Sequence, residues 1–177
     1  HLGVTDQPID LVDEGIDCVV RLGELQDSSA IAKRIGHVGM VTCAARTYIE
    51  RHGMSMSLEE LATHKAINFA SGRNRRLVDW TFIDNHEESR IKLTSALVTD
   101  NSDALLACAL AGMGIIQGVR AALQPYLDSG RLVEVLPDLP ASPKAISIMY
   151  PHRIHQPNKT SAFIDWLTEL LQNNKSI

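Results

Sequence analysis

The sequence predicts an α/β protein in which helices cover a parallel or mostly parallel sheet. Three observations carry this expectation. Short apolar runs rich in strand formers alternate with helical segments along the whole chain. Glycines stand where helices should stop, at Gly15, Gly53, Gly112 and Gly130. At 177 residues and 45% hydrophobic, the chain can bury a core in one domain or two small lobes.

The first segment, Ile9–Leu25 (IDLVDEGIDCVVRLGEL), reads as a short helix ending near Glu14, a stop at Gly15 and an apolar run, Ile16–Arg21, suited to a strand buried on both faces. Gly23 then turns the chain into a loop. Ser28–Ile35 is short and mixed, and His37–Ala45 is a second apolar run. Arg46–His52 reads as a helical turn. Ser57-Leu58-Glu59-Glu60 has the form of a capping box, which predicts a helix from Leu58 to about Thr63. Ala66–Ala70 is a strand, followed by the polar loop Gly72–Arg76 and a strand at Trp80–Phe82. Asp84–Ser89 reads as a turn and Arg90–Val98 as a strand. Ser102–Ala111 is apolar nearly all round, so this helix should lie between a sheet and other structure. Ile115–Gln117 is a brief strand, and Arg120–Leu127 a helix that Pro125 should kink or shorten. Leu132–Leu136 is a strand, and Pro137, Pro140 and Pro143 mark a linker before the strand Ala145–Tyr150. The last helix, Lys159–Gln172, puts Phe163, Trp166, Leu167, Leu170 and Leu171 on one face as a packing stripe.

Composition narrows the function. No apolar run approaches the roughly 18 residues of a membrane span, and the start lacks the basic-then-apolar pattern of an export signal. The three cysteines, Cys18, Cys43 and Cys108, sit among apolar neighbours without metal or disulfide spacing and read as reduced core residues in a cytoplasmic protein. A net charge of −4 argues against this chain alone gripping a phosphate backbone.

Few constellations carry chemistry. Asn101, Ser102 and Asp103 open the buried helix, where they can simply cap it or, with its free N–H groups, receive an anion. Gly112-Met113-Gly114 fails as a dinucleotide fingerprint, because Gly118 comes one residue late and the glycines follow a helix. His152 and His155 are flanked by prolines and lack a further ligand, which argues against a metal. Arg73, Arg75 and Arg76 form either a solvated loop or a cleft-facing clamp for a carboxylate. No nucleophile elbow or zinc-protease pair occurs, so no enzyme and no cofactor is indicated.

Taken in order, IDLVDEGIDCVVRLGEL, TYIERHGMSMSLEELATHKAI, TDNSDALLACALAGMGI, GRLVEVLPDLP and YPHRIHQPNKTSAFIDWLTELL resemble the effector-binding domain of LysR-type transcriptional regulators, over about Ile9 to Leu171. The resemblance implies two lobes of periplasmic-binding-protein-like (type 2) fold, with a small-molecule effector between them. Lobe I would comprise residues 1–39 and 143–177, and lobe II residues 40–142. Arg21, Gly23, Glu24 and Leu25 would form the lobe I wall. Phe69, Ser71, Thr99, Asp100, Asn101 and Ile115 would form the lobe II wall, suited to a small anion. Arg21 could pair with the effector's charge or serve a structural ion pair. The parent regulator is expected to bind DNA through an N-terminal winged helix-turn-helix outside this chain, and to form a homodimer or homotetramer. The first strand and helix of lobe I are also expected to be missing. A solute-binding protein for transport, which shares the fold, is the alternative.

Overall fold

The computed structural model describes residues 1–25, 30–151 and 158–173. Only one helical turn forms near the start. The Asp10 carboxylate accepts the N–H groups of Val12 and Asp13 at 3.0 and 3.2 Å, and the Ile16 N–H closes the turn on the Leu11 carbonyl at 2.9 Å. Gly15 ends it at φ +66°, a conformation that favours glycine. Strand β1 (Val19–Leu22) and the long strand β2 (Ile31–Val38) follow.

After Gly39 the chain enters β3 (Met40–Ala45), which is buried along its whole length. Next come α1 (Arg46–His52) and α2 (Leu58–Leu61). Helix α2 is one turn, shorter than expected. The Ser57 hydroxyl caps it by accepting the Glu60 N–H at 3.2 Å, while the Glu60 carboxylate reaches back to the Met56 N–H at 2.8 Å. Strand β4 (Ala66–Ser71) leads to β5 (Arg76–Leu77), then to a hairpin of β6 (Trp80–Asp84) and β7 (Glu87–Ile91). The single strand expected over Arg90–Val98 is two, since Lys92–Thr94 separates β7 from β8 (Ser95–Thr99). Helix α3 (Ser102–Leu110), β9 (Ile115–Val119), α4 (Arg120–Asp128, running through Pro125) and β10 (Leu132–Glu134) complete this part. Strand β11 (Lys144–Tyr150) and α5 (Asn158–Asn173) close the chain.

By their internal contacts the residues fall into two units: His1–Gln7 with Met40–Ser142, and Pro8–Gly39 with Pro143–Ile177. Residues 1–7, expected with the second unit, join the first because Asp6 and Gln7 bond to Ser102 and Asp100.

The larger unit holds the sheet β10-β3-β9-β4, with β5 and β8 both on β4. Strands β4, β8 and β9 are mutually parallel through β4, with α3 as the crossover from β8 to β9. Strand β3 runs against both β9 and β10. The expected mostly parallel sheet is therefore mixed. The alternating pattern correctly marked βαβ crossovers, but β3 enters from the other unit and not from a crossover helix, so nothing fixes it to the common direction. Tyr48, Leu61, Ile67, Phe82, Ile115, Ile116, Leu132 and Val135 fill the core around this sheet. A polar cluster is built in: Trp80 and Asn68, only 4% and 3% exposed, are bonded to each other. Burial and the nearby Glu134 carboxylate push the Cys43 thiol up to about 12, with Arg120 opposing, so Cys43 is a neutral core group.

The smaller unit is a wholly antiparallel sheet, β1-β11-β2, with α5 against β2. Strand β1 is not buried on both faces as expected. It lies at the sheet edge, where Val20 and Leu22 are 42% and 49% exposed. The stripe expected on α5 is also displaced. Thr160 and Ile164 are buried, whereas Phe163, Trp166 and Leu170 are exposed, with the Phe163 and Trp166 rings in contact at 5.7 Å. The apolar arc of this helix is wider than the surface available to it, and the three-stranded sheet covers only one side.

Candidate functional site

In an open α/β sheet, ligands gather at the carboxyl ends of parallel strands, where side chains and helix N-termini converge. Here β4 and β8 are paired in parallel register with Phe69 opposite Thr99. Both strands end within two residues, and α3 starts immediately after β8. The rim so formed carries Phe69, half-buried on the core, exposed Ser71, half-buried Thr99 and Asp100, and exposed Asn101 and Ser102.

The turn into α3 is fixed by its own side chains. The Thr99 hydroxyl accepts the Asn101 N–H at 3.2 Å, and the Asn101 side-chain oxygen accepts the Ala104 N–H at 2.8 Å. Asn101 thus acts as the cap that its position suggested. Ser102 does something else. Its N–H and O–H both donate to one Asp6 carboxylate oxygen, at 2.7 and 2.8 Å. A helix N-terminus concentrates positive potential, and a carboxylate is the group it favours.

Asp100 accepts from two directions. The Arg75 guanidinium is 2.9 Å from its Oδ2 oxygen, and the Gln7 amide donates to the same oxygen at 3.3 Å. Arg75 takes a left-handed backbone, φ +46°, at the loop tip, and its side chain is 74% exposed. The arginine loop therefore places one guanidinium on this rim through an ion pair. Such an exposed pair adds little stability, and its value here is position.

Ile115 does not belong to the rim. It opens β9 opposite Ala66, at the amino ends of the parallel strands, whereas Phe69 and Ser71 lie at the carboxyl end of β4. Its side chain is fully buried in the core, so the expectation that it contacts an effector is corrected. In the smaller unit, Arg21 stands on β1 in register with Ser147. Gly23, at φ +82°, donates its N–H to the Ala145 carbonyl at 2.8 Å, and exposed Glu24 and Leu25 follow.

Asp6 and Gln7 were missed by sequence reasoning. Asp6 lies 96 positions from Ser102, and no local pattern announces such a contact. Gln117 was missed as well; its side-chain amide donates to the Thr42 hydroxyl and the Thr81 carbonyl, both at 3.2 Å, linking β3, β9 and β6. Among the described residues, no group of three or more His, Cys, Asp or Glu is placed to hold a metal ion. His152 and His155 lie outside the described residues. The rim brings together Ser102 at the start of α3, the Arg75 guanidinium and the Phe69 ring, with Ser102 donating to Asp6 and Arg75 paired with Asp100.

Comparison with known proteins bears on the family and the fold. The family model described as LysR substrate binding domain matches residues 1–172. The chain is 32% identical over 172 residues to the uncharacterized HTH-type transcriptional regulator YhjC of Escherichia coli, covering 97% of the chain and 58% of that protein. It is 27% identical to the HTH-type transcriptional activator TtdR of Escherichia coli, covering 97% of the chain and 55% of that protein. The chain therefore spans little more than half the length of these relatives. Among solved structures, the full-length Vibrio cholerae virulence activator AphB, a member of the LTTR protein family, superposes with a TM-score of 0.73 at 27% identity, over 96% of this chain and 57% of that one. The regulatory domain of CrgA from Neisseria meningitidis gives the same TM-score, 0.73, at 21% identity, over 93% and 81%, which shows the fold alone.

Proposed function

Since the chain belongs to the LysR substrate binding domain family, we propose that it senses a small anionic effector for a bacterial transcriptional regulator, taking the anion at the rim where β4, β8 and α3 meet. The coarser part of this reading is established. The chain is an effector-binding domain of LysR type, with the α/β, two-lobe periplasmic-binding-protein-like (type 2) fold, in a family of regulators and not of enzymes. Among the described residues, no helix is long and apolar enough to cross a membrane. The transport alternative is not favoured, because the relatives are HTH-type regulators.

The observation that supports an anionic effector is the placement of Ser102. Its N–H and O–H, at the N-terminus of α3 beside the carboxyl ends of two parallel strands, both donate to the carboxylate of Asp6. Phe69 supplies an apolar face and Ser71 a further hydroxyl. Within the smaller unit, the turn of Arg21, Gly23, Glu24 and Leu25 is proposed as a second contact surface. For the whole regulator we propose DNA binding through an N-terminal winged helix-turn-helix and assembly as a homodimer or homotetramer. An effector acts by binding one conformation better than another, since only differential affinity shifts a population.

The test is a thermal-shift screen of the full-length regulator against matched small carboxylates and amines. A true effector at 100 times its dissociation constant should stabilise it by about 2.7 kcal/mol. Ser102→Ala should weaken the response to the carboxylate, and Arg21→Ala tests the smaller unit's surface in the same titration. Stabilisation by amines and by no carboxylate would overturn the anionic assignment.

A further inference from the structure

In the larger unit, the start of α2, the end of β6 and the turn after β10 surround a cavity of about 280 Å³. Local hydrogen bonds fix its walls. The capping box ties Glu60 to Met56 and Ser57, the Ile83 N–H donates to the Pro140 carbonyl at 2.9 Å, and the Leu139 N–H donates to the Leu136 carbonyl at 3.0 Å. Leu136 is held in a left-handed backbone, φ +56°, with its side chain buried in the core. Met56, Leu58, Leu136 and Leu139 supply apolar lining, and Glu59, Asp84 and Asp138 stand on the same lining. Among the described residues no cation pairs with these three carboxylates; Asp84 accepts only the Asn85 amide at 3.0 Å. Hydrogen bonds from its own backbone N–H and from Ser57 hold the Glu59 carboxyl below its usual range, so it is charged at neutral pH.

We propose that this cavity binds a small organic cation, an amidinium or ammonium carried on an apolar body. Among the described residues no three acidic, histidine or cysteine groups are placed to hold a metal ion, so the carboxylates ring a space too wide for a bare cation. A hard cation would also need a shell of oxygens where this lining has leucine and methionine. An extended organic cation meets both conditions. Its body displaces water from Leu136 and Leu139, while its charged end donates to the carboxylates in charge-assisted hydrogen bonds. The volume lies at the small end of ligand pockets, which suits one ring or a short alkyl chain. The cavity shares no residue with the α3 rim and selects the opposite charge, so it stands independently of the anionic reading of that rim.

The test titrates the full-length regulator by calorimetry with benzamidine, with benzamide as its uncharged near-isostere, and with benzoate. Benzamidine should bind saturably, and the other two at least about five-fold more weakly, because they form no charge-assisted bond to a carboxylate. Added salt should weaken benzamidine binding. Glu59→Gln combined with Asp138→Asn should lower benzamidine affinity by about ten-fold, whereas Ser102→Ala should leave it unchanged. Both substituted residues are exposed and the α2 cap uses Glu60, so the double variant should keep the urea midpoint of the unsubstituted protein. Asp84→Asn reads the same loss from the opposite wall. Benzamide binding as tightly as benzamidine would reduce the cavity to an apolar cleft and overturn the proposal. So would benzamidine affinity unchanged by the folded variants, or no saturable heat from benzamidine, either of which would leave a solvated acidic surface.

Discussion

Trp80 donates its indole N–H to the side-chain oxygen of Asn68 at 2.7 Å, in a place where both residues are buried. The Asn68 amide nitrogen is satisfied in turn by the Ser95 hydroxyl at 2.6 Å and the Leu93 carbonyl at 3.2 Å. One side chain thereby stitches β4 to the β6–β7 hairpin and to the entry of β8. The elements that present Phe69 and Thr99 are held by this stitch.

Trp80→Phe leaves the Asn68 oxygen buried without its donor, which should cost about 1–3 kcal/mol of stability. Asn68→Ala should cost more, because the Trp80 N–H and the groups at Leu93 and Ser95 lose their partner together. Urea unfolding checks this: both midpoints should fall with an unchanged slope. A midpoint for Trp80→Phe equal to that of the unsubstituted chain would show that the bond is dispensable.

Acid should destabilise the larger unit through His64. Its ring meets the Tyr48 hydroxyl at 3.3 Å at Nδ1, and the same hydroxyl accepts the Lys65 N–H at 3.0 Å. Burial first, and then the neighbouring His52, hold the His64 imidazolium below the ordinary histidine range, with Glu60 opposing. A depressed value in the folded state means that the unfolded chain takes up the proton more readily. The contribution is therefore fully present above about pH 6.5 and is lost as pH falls through the folded value. Urea midpoints between pH 7.5 and 5 should decline less steeply for His64→Gln. Parallel declines for the two chains would remove His64 as a source of the acid sensitivity.

Gly114 is a site of close approach. A Cβ built there would lie 2.7 Å from the Lys65 carbonyl oxygen and 3.2 Å from the Ile67 side chain, where β9 begins beside β4. Backbone cannot move aside cheaply, so Gly114→Ala should cost about 1–3 kcal/mol. Thermal unfolding of the variant reads this directly. By contrast, Gly3→Ala meets nothing within 4 Å and should leave the midpoint where it is.

Much of this architecture was legible in the sequence because the signals are local. The stop at Gly112, at φ +71°, follows from the freedom of glycine, and Ser57 and Asn101 announce helix starts because their side chains reach only three residues ahead. What was not legible is set by distant partners. The direction of β3 depends on where the chain comes from, which no periodicity records. Ile115 closes the α3 phrase in the sequence, yet strand polarity puts it at the other end of the sheet from Phe69 and Ser71. The stripe of Phe163, Trp166 and Leu170 has helical spacing, but which arc of α5 is covered depends on the width of a sheet assembled from both ends of the chain. Asp6 carries no local sign of its role, since aspartate is ordinary in an exposed segment.

Strand β11 lies between β1 and β2, and neither outer strand pairs with the other. Synthesis from the amino end therefore leaves β1 and β2 with open hydrogen-bonding edges until residues 144–150 have emerged. The sheet strands of the larger unit, β3 to β10, come from one continuous stretch and can fold before that point. A chain cut after the proline-rich linker should keep the larger unit while presenting two unpaired strands, a template for association with other chains. Strand β11 is thus made after both of the strands whose edges it covers.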